Sequence, residues 1–265
     1  MEKEVVIKTD NIFKAFGERH ILNGTTLEVY KGETFVIMGG SGCGKSTLLR
    51  HLIGALKPDS GKVYLLGKDL TTLNESEMDE VRKKIGMCFQ SSALFDSMTV
   101  GENISLPLKE HTKLDDSVID IVVKMKLELV GLRGFEDLMP SMLSGGMKKR
   151  VGLARAIVMD PQIVFYDEPT AGLDPIVSAV IDKLILDLSK KLSITSVVVT
   201  HDMNSVFRIA DRIAMLNQGK VIAIGTRDQI RNTDNELVKQ FIKGEPDGPV
   251  SFMQKKDDYL ESLTK

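Results

Sequence analysis

The sequence predicts an α/β fold: a mainly parallel sheet, some antiparallel strands, and an inserted helical segment. Three observations predict it. Short β-branched apolar runs alternate with helical patterns along most of the chain. Two of the runs, "IVFYD" and "SVVVT", have no polar alternation, as befits strands covered on both faces. A glycine-rich turn joins one apolar run, "TFVIM", directly to a helical pattern. With 265 residues, 42% of them hydrophobic, the chain can bury a real core.

The elements follow in order. "VVIK", "TLEVY", "TFVIM", "KVYLL", "IGMCF", "IVFYD" and "TSVVVT" read as strands, and "VIAIG" as a late strand after the turn "NQGK". Apolar residues at helical spacing predict helices over 45–56, 77–84, 117–130, 146–159, 176–192 and 204–210. Residues 91–160 are rich in helical pattern and methionine and poor in strands, and read as a helical insertion. The chain thus divides into a core, 1–90 and 161–243, a helical subdomain of about 91–160, and a charged tail, 244–265, that reads as an extension.

Composition excludes several classes. A net charge of −2 gives no electrostatic case for nucleic-acid binding. The two cysteines, Cys43 and Cys88, make neither a disulfide framework nor a zinc site alone, and suit a reducing cytosol. The opening "MEKEVVIKTD" does not resemble a signal peptide, and no stretch reaches 18 apolar residues. Action at a membrane would therefore run through a partner.

The glycine-rich turn carries the first chemistry. In "GGSGCGKSTLL", Gly39, Gly44, Lys45 and Ser46 fit G-x-x-x-x-G-K-[ST], the P-loop, and the strand–loop–helix context is the one that motif requires. A flexible turn or a dinucleotide fingerprint are the rival readings; the latter needs G-x-G-x-x-G, which is absent. Gly39, Gly40, Ser41, Gly42, Cys43, Gly44, Lys45, Ser46 and Thr47 are the expected nucleotide-binding residues. Glycines let successive N–H groups approach phosphate, and the helix N-terminus adds partial positive charge. Lys45 can reach the β/γ-phosphates of ATP, and the Ser46 hydroxyl can bind Mg²⁺.

A second site follows in "IVFYDEPTAGLDP". An apolar strand ending in Asp167 fits a carboxylate that holds the P-loop Mg²⁺. Side chains alternate along a strand, so the adjacent Glu168 points elsewhere and can face the attacking water as general base. "VVVTHD" ends another strand at Thr200 and His201, which places a donor at the ligand edge of an open sheet.

Six segments, "GGSGCGKS", "CFQSSALF", "LSGGM", "IVFYDEP", "AGLDP" and "VVTHD", occur in the order and spacing of ATP-binding-cassette (ABC) ATPases. The chain resembles that family over nearly its whole length. The resemblance implies a P-loop NTPase fold with a RecA-like core. It implies that Phe16 stacks on adenine, that Gln90 is a metal ligand sensing a membrane partner, and that His201 is the switch histidine. It also implies that Ser144, Gly145, Gly146 and Met147 form the signature capping the γ-phosphate held by a second copy, and that Asp174 works across the same interface. Met147 departs from the glutamine usual there. The physics of "LSGGMKKRVGLARAI" agrees: Ser and two glycines before a helix make a second phosphate-binding N-terminus. One chain cannot easily fold both onto one phosphate, whereas two chains about a twofold axis can. A homodimer is therefore expected.

"LFDSMTVGENISLPLKEHTKL", "LSGGM" and "DGPV" together resemble the ATPases of Mla/Mce-type lipid transporters. That resemblance implies a cytoplasmic ATPase dimer on the inner face of the inner membrane, beneath a permease dimer. It implies an Mce-domain lipid-binding partner, in some members a small STAS-domain protein, and phospholipid as substrate class. The tail can reach a neighbouring subunit or be disordered, and the resemblance favours the first. Two alternatives remain: the same engine on a carrier of small solutes, and a soluble cassette protein without a membrane partner.

Overall fold

The chain begins with a long antiparallel hairpin. β1 (Val5–Phe16) and β2 (Arg19–Tyr30) pair from Val5 opposite Tyr30 to Phe16 opposite Arg19. β3 (Thr34–Met38) and α1 (Lys45–Leu52) follow, joined by the glycine turn. β4 (Ser60–Leu65) and β5 (Lys68–Asp69) return to the hairpin and make a four-stranded antiparallel sheet, order β2-β1-β4-β5. The computed structural model describes residues 3–249.

α2 (Glu75–Arg82) starts at a capping box in which Asn74 and Glu77 satisfy each other's backbone N–H groups. After β6 (Ile85–Cys88), the described chain forms α3 (Val100–His111), α4 (Asp116–Leu129) and α5 (Gly145–Ala156) before the next strand, β7 (Ile163–Asp167). The remainder is α6 (Pro175–Leu192), β8 (Thr195–Val199), α7 (Met203–Ile209), β9 (Arg212–Asn217), β10 (Lys220–Thr226), α8 (Arg227–Arg231) and α9 (Glu236–Lys243). The second sheet has order β10-β9-β3-β8-β7-β6, parallel from β9 to β6, with β10 antiparallel at its edge.

The parallel strands are buried on both faces, and alternate residues enter two cores. Val36, Val164, Tyr166 and Val198 pack with α3, α4, α5 and α6. Phe35, Ile37, Phe165 and Val197 pack with α1 and the antiparallel sheet. No helix among the described residues is long and apolar enough to cross a membrane.

The sequence reading differs from the structure in detail. "VVIK", "TLEVY" and "KVYLL" belong to the separate antiparallel sheet, where long hairpin pairing replaces crossover connections. The expected helix over 45–56 stops at Leu52, because Gly54 turns left-handed at φ 69°. Six elements among the described residues were not anticipated: β5, α3, a 3-10 turn at Pro140–Met142, β9, α8 and α9. Of the tail, residues 250–265 lie outside the described residues, so the tail contact expected there is not placed.

A buried polar cluster ties α6 to α7. Asp182 is fully buried; its Oδ2 accepts from Ser205 Oγ at 2.8 Å and Arg208 Nη1 at 2.5 Å. Burial raises the Asp182 carboxyl above the usual range, against the pull of Ser205 and Arg208. Arg208→Ala leaves that carboxylate buried without its cation. The expected cost is about 3 kcal/mol, read as a lowered denaturant midpoint. A loss below about 1 kcal/mol contradicts this account of the pair.

Candidate functional site

The P-loop wraps the C-terminal end of β3 and the first turn of α1. Two glycines there have no substitute. A methyl group on Gly39 would lie 2.2 Å from the Leu216 carbonyl oxygen; one on Gly44, at φ 109°, would lie 2.9 Å from that of Ile21. Lys45 is buried and curls back into the loop, with Nζ donating to the carbonyls of Gly39 at 2.8 Å and Gly40 at 2.9 Å. Ser41, Gly42 and Ser46 are exposed, and Thr47 is half-buried. The result is a concave backbone at a helix N-terminus with one ammonium inside it, a fit for polyphosphate.

Asp167 closes β7 beside this loop. Burial, and then the neighbouring Glu168, push its carboxyl above the usual range, while Lys45, Arg50 and Lys149 act the other way. An added cation would favour the charged form. No group of three or more His, Cys, Asp or Glu side chains that could hold a metal occurs among the described residues. A small oxygen-donor set completed by phosphate and water suits Mg²⁺.

Glu168 sits at φ 46°, in the left-handed region, at a cost of about 1–3 kcal/mol for a non-glycine residue. Its N–H donates to the Val199 carbonyl at 2.8 Å, which pins the turn to the end of β8. The side chain then meets the next loop. Oε1 bonds His201 Nδ1 at 2.7 Å, and Oε2 accepts from Thr200 Oγ1 at 3.1 Å and the His201 N–H at 3.4 Å. The His201 ring remains largely exposed. Thus β3, β7 and β8 deliver Lys45, the two carboxylates and His201 to one edge of the sheet, where α/β proteins bind ligands.

Gln90 lies just beyond β6. It is exposed and shares with Asp167, Phe89, Ser91, Ala171 and Gly172 a cleft of about 500 Å³. Phe16 ends β1 with its ring half exposed and the Lys14 ammonium 5.5 Å from the ring centre. The hairpin tip stands next to the P-loop, because a methyl group on Gly42 would lie 3.7 Å from Arg19 Nη2.

The remaining residues gather elsewhere. Ser144 caps α5, its Oγ accepting from the Met147 N–H at 3.3 Å. Gly146 is held close against Val177, and Gly145 faces Leu173, so 144–147 packs beside the start of α6. Asp174 caps α6 by accepting from the N–H groups of Ile176 and Val177. Among the described residues, no hydrogen bond or ion pair joins Ser144–Met147 or Asp174 to the P-loop. The start of α5 is thus held against the start of α6.

Two residues beside the site gave no sequence signal. Lys149, within the charged run "KKR", is buried and bonds the carbonyls of Gln90 and Glu168. Arg155 bonds those of Ser92 and Ala93. Cys43 gave a signal only as a thiol within the motif. It is buried and lines a mainly apolar cavity of about 460 Å³ between the P-loop and α9.

Burial pushes the Cys43 thiol up, partly offset by Lys45. The deeper Cys88 thiol is pushed up to about 11. A bulky maleimide is therefore expected to label Cys43 slowly, faster as pH rises, and to abolish nucleotide binding by crowding the loop. Full activity after complete Cys43 labelling contradicts this placement.

Known proteins agree with the geometry. A family model described as ABC transporter matches residues 22–171. The chain is 45% identical over 258 residues to the intermembrane phospholipid transport system ATP-binding protein MlaF of Haemophilus influenzae, covering 97% of this chain and 98% of that one. It is 40% identical over 258 residues to the probable ribonucleotide transport ATP-binding protein mkl of Mycobacterium leprae, covering 97% of this chain and 74% of that one. Among solved structures, it resembles the dimeric post-hydrolysis ATP-binding cassette MJ0796 bound to ADP and Pi. That match has TM-score 0.76 and 33% identity, covering 83% of this chain and 98% of that one. The match to the family model over more than half the chain, on this P-loop fold, establishes that the chain belongs to the ABC transporter family, as one of its ATPases.

Proposed function

We propose that this chain is the energy-coupling subunit of a phospholipid transporter, hydrolysing ATP between two copies of itself to drive a permease. The observation that carries the lipid reading is the near full-length identity to a phospholipid transport ATP-binding protein.

The chain's own residues divide the work. The Phe16 ring receives adenine, and the P-loop N–H groups from Gly39 to Thr47 with the Lys45 ammonium hold the phosphates. The Ser46 hydroxyl, the Asp167 carboxylate and the Gln90 amide oxygen would hold Mg²⁺, which supplies charge neutralisation at the β- and γ-phosphate oxygens. Glu168 takes a proton from water as the water oxygen bonds to the γ-phosphorus. The bond to the β–γ bridging oxygen breaks, giving ADP and phosphate. Glu168 Oε1 accepts one bond, from His201, and keeps lone-pair capacity for that proton. His201 orients the carboxylate, and its largely exposed ring is the donor assigned to the γ-phosphate.

Ser144, Gly145, Gly146 and Met147 of a second copy cap the γ-phosphate, and Asp174 works at the same interface. Their packing on the start of α6, with no hydrogen bond to the P-loop among the described residues, supports this, and so does the dimeric state of the MJ0796 cassette. The dimer sits on the cytoplasmic face of the inner membrane under a permease dimer. An Mce-domain protein supplies or receives lipid, and a small STAS-domain protein is a further partner. A second reading, the same engine on a carrier of small solutes, is motivated by the mycobacterial relative named for ribonucleotide transport.

The test is to tag the chain, extract native membranes in mild detergent, and identify co-purifying proteins and lipids by mass spectrometry. A multi-span permease with an Mce-domain protein and bound phospholipid is the expected result. A solute permease with its own binding protein would overturn the lipid reading, and a chain found only in the soluble fraction would overturn both.

A further inference from the structure

The buried Lys149 stands where three parts of the site meet. It lies on α5, five residues after the Ser144 cap. Its ammonium donates to the Gln90 carbonyl and to the Glu168 carbonyl, the latter at 3.4 Å. One side chain thus ties the signature helix to the segment bearing Gln90 and to the strained turn bearing Glu168.

The surroundings make this tie tight. Ser92 and Ala93 are both left-handed, at φ 63° and 45°. Arg155, two turns further along α5, holds their carbonyls at 2.6 and 2.8 Å. Gly152 lets the helix approach, since a methyl group there would lie 3.3 Å from Ser92 Cβ. The segment after Gln90 is therefore tied to α5 by hydrogen bonds and close packing.

We propose that Lys149 is a positioning residue for hydrolysis, fixing the Gln90 segment and the Glu168 turn against the signature helix so that all three move as one unit. The inference rests on the roles of Gln90 and Glu168 proposed above. Burying an ammonium is costly, and its protonation is disfavoured by burial here, with Glu168, Asp167 and Cys88 opposing that trend. An apolar side chain would fill the same space without that cost. The ammonium offers what it lacks: three donors on one flexible stem, reaching the carbonyls just beyond the ends of β6 and β7 at once.

The consequence is a split between binding and turnover. Among the described residues, Lys149 makes no hydrogen bond to a P-loop residue, so nucleotide affinity should survive its loss. Placement of the base and of Gln90 should not, and misplacement of about an ångström costs rate steeply.

The test compares the full-length chain with Lys149→Met, Lys149→Gln and Lys149→Arg, measuring ATP dissociation constant, kcat and thermal midpoint, with Glu168→Gln in parallel. Lys149→Met is expected to keep ATP affinity within about threefold and to lose roughly tenfold or more in kcat. Lys149→Arg, which keeps charge and several donors, should recover at least a third of kcat, and Lys149→Gln should fall between. If Lys149→Met fails to fold, the Gln and Arg variants decide by the same split. Wild-type kcat in a folded neutral variant overturns the proposal. So does a fall in affinity, stability and kcat together without rescue by arginine, which marks a merely structural lysine. Normal turnover by Glu168→Gln would instead remove the underlying reading of the site.

Discussion

Glu168→Gln is expected to bind ATP as the native chain does and to hydrolyse it slower by roughly 100- to 10,000-fold, the contribution of a positioned general base. The amide keeps the shape of the carboxylate and can still accept from Thr200 and the His201 N–H, so the turn at φ 46° should survive. What it loses is proton affinity. Single-turnover hydrolysis and nucleotide binding, measured on one preparation, separate the two effects. Near-normal turnover would remove Glu168 as base. The expected by-product is an ATP-bound species that no longer resolves.

Lys45→Ala is expected to fail one step earlier. Its ammonium is the cationic side chain that bonds inside the P-loop, holding the Gly39 and Gly40 carbonyls. Removing it takes away both the point charge for the phosphates and the tie that curls the loop. ATP affinity should fall by roughly 100-fold or more, with turnover lost at ordinary ATP concentrations. Equilibrium binding of a fluorescent ATP analogue checks this, and unchanged affinity contradicts the role of the loop. The fold itself should hold, because α1 still packs Leu48, Leu49 and Leu52 into the core.

The contrast between what the sequence made legible and what it did not has physical causes. The parallel sheet was legible because strands such as β7 and β8 are apolar on both faces, a pattern set locally. The P-loop was legible because glycine spacing and strand–helix context lie within a dozen residues. α3 was obscured by Pro107, which argues against a helix interior. The Thr99–Glu102 capping box and burial of Ile104 and Leu108 outweigh it. β9 is a short run whose strand character comes from pairing with β3 and β10, and α8 is too short to show a helical period. Lys149 was hidden for a different reason. In a basic run it reads as a solvated charge, and only the packing of α5 against the segment after β6 turns it inward.

Residues 144–147 and Asp174 raise the question that matters most. Among the described residues they make no hydrogen bond or ion pair to the P-loop, so the proposed ATP site requires a second copy to complete it. The direct measurement is the mass in solution of the Glu168→Gln chain with and without ATP and Mg²⁺, by light scattering after size exclusion. A single-chain mass without nucleotide and a two-chain mass with ATP, abolished by adding Lys45→Ala, is the predicted result. A single-chain mass under saturating ATP, in a protein shown to have ATP bound, would contradict the account.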